Sequence, residues 1–178
     1  MTWSHAAGEG TMPSAHRASL PRFDRAILDA MRRIVAETLI GASKDEVWAL
    51  LDDLAGMPRW LARVRAVTSI SGPAHAGTMY RERTSFLGLP SARDWEITVH
   101  RKPTRQVRVA EDGGLRREMT LVLEPRGTGT LLHATLTLEA IMPGPAGSLL
   151  EMAASWPAAW GLRSFAGSAK RAFEDAPR

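Results

Sequence analysis

Six stretches of alternating apolar and polar residues, each closed by a glycine, proline or aspartate turn, fill the middle of this chain and leave it little choice of fold. They run over Val64–Ser71, Gly77–Phe86, Ala92–His100, Gln106–Glu111, Arg116–Glu124 and Gly129–Ile141. Successive side chains in a strand point to opposite sides, so a period of two marks strands with one apolar face. Short turns such as Gly72-Pro73, Gly88-Leu89-Pro90 and Asp112-Gly113-Gly114 imply consecutive hairpins, hence an antiparallel sheet. Alternation predicts Trp95, Ile97 and Val99 on one face, with Asp94, Glu96, Thr98 and His100 on the other. Val107 and Val109 are expected on the apolar face too, as are Met119, Leu121 and Leu123, then Leu132, Ala134, Leu136 and Leu138. A sheet that is apolar on one side must be covered.

The cover is expected from the C-terminus. After Pro143-Gly144-Pro145, the capping box Ser148-Leu149-Leu150-Glu151 opens a helix that reaches about Glu174. Its apolar positions include Leu149, Met152, Trp156, Trp160, Phe165, Ala169 and Phe173. Pro157 should kink or split it near Ser155–Trp156, because a mid-helix proline costs about 3 kcal/mol. About 25 residues at 1.5 Å each span close to 40 Å, enough to cross a curved sheet. Upstream, Arg33–Ile40 is rich in β-branched residues and reads as the first strand. Ser43-Lys44-Asp45-Glu46 is a capping box for a helix bearing Val47, Trp48, Leu50, Leu51 and Leu54, with Gly56 at positive φ ending it. Met57–Leu61 fits a second short helix. The fold class is therefore α+β: a curved antiparallel β-sheet of about seven strands wrapped around a long C-terminal helix, with two short helices after the first strand.

The domain is expected over residues 33–175. Residues 1–18 lack periodicity and read as a disordered tail. Leu20, Phe23, Ile27, Met31 and Ile34 recur at helical steps and predict a short amphipathic N-terminal helix over residues 19–32. That helix either packs on the domain, forms a protomer contact that makes a homodimer, or lies on a membrane surface.

Several function classes are set aside by composition. With no cysteine there is no disulfide framework, zinc-thiolate site or cysteine nucleophile. The high pI reflects many arginines and few groups that titrate between about pH 8 and 11. The net charge is only +4, so no nucleic-acid partner is expected. No transmembrane segment and no secretory signal is visible, and a soluble cytoplasmic protein is the expectation. His5, His16, His75, His100 and His133 show no ligand spacing, so no metal is expected, and no cofactor motif is present. Gly127-Thr128-Gly129-Thr130 lies between two strands without a following helix or lysine and reads as a hairpin turn, not a phosphate cradle. There is no G-x-S-x-G elbow.

The first strand, Ala42-Ser-Lys-Asp-Glu-Val-Trp48, Leu51-Asp52-Asp53 and Met57-Pro58-Arg59-Trp60 followed by Val64 and Val67 together resemble the opening of polyketide cyclase/dehydrase-type proteins of the START-like, or SRPBCC, superfamily. Gly77-Thr78, the Gly88 hairpin, Gly127–Thr130 and the closing helix are similar to the later family pattern. The resemblance covers about residues 33–175. It implies a helix-grip fold with an apolar cavity between helix and sheet. Members include aromatases, cyclases and lipid or quinone binders, without a shared catalytic triad. Pro157 and the N-terminal extension depart from the plainest pattern.

Trp48 and Trp60 are expected to pack in the opening helices, whereas Trp95, Trp156 and Trp160 are candidates to line the cavity or to fill the core. Phe86, Met119, Leu136 and Met152 complete the candidate ligand contacts. On the strand ending at Phe86, Tyr80, Glu82, Thr84 and Phe86 share one parity, and Met79, Arg81 and Arg83 the other. If the first set faces inward, burial raises the Glu82 pKa and makes it a proton shuttle, with Tyr80 donating to a substrate carbonyl. If the second does, an arginine holds a substrate carboxylate or enolate. A solvated polar face is the third alternative. The functions left open are a cofactor-independent cyclase or dehydratase, a carrier of a hydrophobic small-molecule ligand such as a lipid or quinone, and a protein-interaction module.

Overall fold

The computed structural model describes residues 33–86 and 88–174; residues 1–32, with the tail and helix expected there, lie outside the described residues. The order is β1 (Arg33–Ile40), α1 (Lys44–Asp52), α2 (Met57–Trp60), β2 (Val64–Thr68), β3 (Met79–Phe86), β4 (Leu89–Arg101), β5 (Arg105–Asp112), β6 (Leu115–Arg126), β7 (Gly129–Ala140) and α3 (Pro145–Glu174). The seven strands form one antiparallel sheet in the order β1-β7-β6-β5-β4-β3-β2. Strands β2 to β7 are sequential hairpins, while α1 and α2 carry the chain from one edge of the sheet to the other. The curved sheet closed by a long C-terminal helix is the helix-grip arrangement.

Local chemistry explains the opening helices. The Ser43 hydroxyl accepts from the Glu46 N–H, and the Glu46 carboxylate accepts from the Ser43 N–H at 2.8 Å, a complete capping box. Helix α1 ends at Asp52, before the expected stop at Gly56. Gly56 has φ −80° and begins α2. Its N–H donates to the Asp53 carboxylate at 2.9 Å, and that carboxylate occupies the space where a Cβ would sit.

The core lies on the concave face. Trp48, Leu51, Leu54, Met57 and Leu61 from the opening segment pack in one cluster with Leu162, Phe165, Ala166 and Ala169 of α3. The edge of Trp48 meets the His100 ring with centroids 5.1 Å apart, and Trp60 meets Phe165 at 5.5 Å.

Two expectations about faces are corrected. A β-bulge between Ile97 and Val99 inserts one residue into β4. An extra residue reverses the alternation beyond it, so His100, not Val99, reaches the concave side and meets Trp48 and Asp52. On β5 the register pairs Gln106 with Leu121 and Arg108 with Met119, which puts Gln106 and Arg108 inward and Val107 and Val109 outward. The polar pair is inward because it has partners there, as described below.

Helix α3 also differs from expectation in three ways. It begins at Pro145, three residues before Ser148, whose N–H already donates to Gly144 O. Glu151 does not close a capping box; its buried carboxylate accepts from the Ala140 N–H at 2.8 Å and ties the helix to β7. The helix runs through Pro157 unsplit.

Candidate ligand-binding site

Between α3 and the concave sheet lies a cavity of about 360 Å³, partly open to solvent. Volumes of this order suit a small molecule. Its roof is the α3 face Ala154, Pro157, Ala158, Gly161, Leu162 and Phe165, spaced three and one residues apart as one side of a helix requires. The first four are small, which leaves space beneath the helix. Met57, Leu61 and Val64 close one side, and Trp95, Met119 and Leu136 form the apolar floor.

Among the candidate contacts, Trp95, Met119 and Leu136 are therefore in the cavity wall. Trp156 and Trp160 are not. They sit two residues either side of Ala158, about 200° around the helix, and are 67% and 46% exposed. Met152 is half-buried outside the lining, and the Phe86 side chain lies outside the described residues. The Arg63 guanidinium covers the Trp160 ring at 4.3 Å and lies against Gly161.

The β3 parity is set by the structure. Tyr80, Glu82 and Thr84 face inward, while Met79, Arg81 and Arg83 are on the outer face. Arg81 there pairs with Asp94, donating at 2.7 and 2.6 Å. Glu82 and Thr84 line the cavity. Tyr80 does not: it is fully buried beneath the floor, and its hydroxyl accepts from Arg108 at 3.1 Å. Burial pushes the Tyr80 pKa up to about 12, with nearby Arg108 opposing and Glu82 adding to the rise. It stays a neutral phenol at any physiological pH.

Glu82 has no hydrogen bond or ion-pair contact among the described residues. Burial holds its carboxyl above the usual range, against the pull of Arg108, Arg93 and Arg63. Around it stand residues that the alternation argument did not single out. Arg93 is its cross-strand neighbour on β4 and donates Nε to Asp112 at 3.2 Å. Arg117 on β6 also pairs with Asp112. Burial lowers both arginine pKa values, and Arg117 reaches about 10 with Arg93 adding repulsion. A signal for both existed: Arg93 has the parity of Trp95, and Arg117 that of Met119.

Below the floor runs a buried polar chain. Arg108 donates from Nε to Gln106 at 2.6 Å, from one terminal nitrogen to Tyr80, and from the other to the Leu51 carbonyl at 2.8 Å. That carbonyl belongs to the last turn of α1, whose final carbonyls lack helical partners and which carries no basic residue of its own. Gln106 and His100 both contact Asp52 Oδ1, at 3.1 and 2.9 Å. Arg108 thus caps α1 from the sheet. Among the described residues, no group of three metal-ligating side chains is present.

Residues 31–174 match the family described as polyketide cyclase / dehydrase and lipid transport. The chain belongs to that family. Similar solved structures share its fold: a protein of Thermus thermophilus (24% identical, 82% of this chain and 99% of the other, TM-score 0.64), a START superfamily protein of Mycobacterium smegmatis (16%, 80% and 97%, 0.63), and the Zhui aromatase/cyclase of a Streptomyces species (12%, 80% and 93%, 0.65). No curated protein matches. Within this polyketide cyclase / dehydrase family member, no helix among the described residues is long and apolar enough to cross a membrane.

Proposed function

We propose that the protein binds an apolar, carbonyl-bearing small molecule in the cavity beneath α3, and that Glu82 moves a proton on it in cofactor-independent cyclisation or dehydration. The observation that carries this reading is a half-buried carboxyl, without a hydrogen bond or ion pair among the described residues, in the wall of a largely apolar cavity. A carboxyl with a raised pKa holds its proton closer to neutral pH and is a stronger base once it loses it, which suits enolisation next to a carbonyl. Tyr80 has no place in the reaction, because its hydroxyl is held by Arg108 away from the cavity.

The test uses 2-tetralone, a bicyclic apolar ketone, in deuterium oxide. The protein should speed deuterium incorporation beside the carbonyl, read by NMR, and Glu82→Gln should bind the ketone equally but lose most of that acceleration. Equal exchange rates for both proteins would remove Glu82 from the chemistry, and binding without accelerated exchange in either would leave a carrier.

A further inference from the structure

We propose that the ligand carries one carboxylate on its apolar body and that the Arg93 guanidinium holds it. The inference rests on the cavity being a ligand site and adds the ligand's chemical class.

The guanidinium groups of Arg93 and Arg117 reach one wall, beside Glu82, with Asp112 behind them. Asp112 is shared: it meets both Arg93 and Arg117. Arg93 contributes only Nε to it, so among the described residues both terminal nitrogens of Arg93 are without a hydrogen bond. A guanidinium presents its donors as a planar fork that fits the two oxygens of a carboxylate. Partial burial is the first cause of the lowered pKa values of Arg93 and Arg117.

Trp95, two residues from Arg93 on the same face of β4 and about 7 Å along the strand, belongs to the apolar floor. One wall of the cavity therefore offers donors and positive charge, and the roof and floor offer hydrocarbon. A neutral lipid leaves the open fork of Arg93 without an acceptor. A phosphate ester brings a second negative charge beside Glu82. A single carboxylate matches.

The experiment measures binding of decanoic acid, 1-decanol and decyl phosphate by calorimetry, below their aggregation concentrations. The wild-type protein should bind the acid roughly tenfold more tightly than the alcohol, equivalent to about 1.4 kcal/mol. Arg93→Gln should bring that ratio near one, chiefly by weakening the acid, and Arg93→Lys, which keeps the charge but not the fork, should fall between. Equal wild-type affinities for acid and alcohol overturn the carboxylate but leave the cavity reading intact. Tighter binding of the phosphate, or an unchanged ratio in both variants, also overturns it. Binding of none of the three overturns this inference and the cavity reading together.

Discussion

Arg108 lies under the cavity floor with all three side-chain nitrogens engaged, and its neighbours depend on it as much as it depends on them. Arg108→Met removes the donor from the Leu51 carbonyl, the Tyr80 hydroxyl and Gln106, all in places water reaches poorly. Leaving such groups unpaired costs about 2–4 kcal/mol, which urea denaturation should record as a lowered midpoint with an unchanged slope. Glu82 acts in the opposite sense. Its folded pKa lies above its unfolded one, so the native state holds its proton more tightly and stability falls as pH rises through that window. Glu82→Gln should therefore melt higher than wild type at pH 8, and the gain should vanish as the pH falls to about 4. The inward position of Glu82 was one of the alternatives that its strand's alternation left open. That of Arg108 was not visible, because the valines flanking it make the opposite face of β5 look like the apolar, inward one.

Helix α3 has two faces of different character. Its inward stripe is small, and the space beneath exists for that reason; its tryptophans face out. Ala158→Phe should fill the cavity and reduce ligand affinity more than roughly tenfold, at least about 1.4 kcal/mol, while the far-UV spectrum stays native. Trp156→Ala, on the outer face, should leave affinity unchanged. The strands, their order along the chain and the first capping box were legible from period, turns and caps. The second capping box was not, because Glu151 has a stronger use as acceptor for the Ala140 N–H than as a cap for Ser148. The helix phase was misjudged because size was taken as a sign of burial: six tryptophans in one chain draw the eye, whereas a run of alanine and glycine marks the cavity.

At the scale of the whole molecule, the fold divides its covering work. Helices α1 and α2 pack in one cluster with Phe165 and Ala169 of α3, and N-terminal to these the small residues of α3 leave the roof thin. Antiparallel hairpins set β3 beside β4 and β6 one strand beyond β4, so Glu82, Arg93 and Arg117 line one cavity although they are far apart in sequence. Family membership and fold follow from sequence and architecture together, whereas the ligand follows from a few inward side chains on three strands. The most direct test of a guest beneath α3 is the indole ¹⁵N–¹H spectrum during titration with decanoic acid. The account predicts that the Trp95 resonance shifts while those of Trp156 and Trp160 stay in place. Movement of the Trp156 and Trp160 signals with Trp95 unchanged would contradict it, because the ligand would then lie on the outside of the helix.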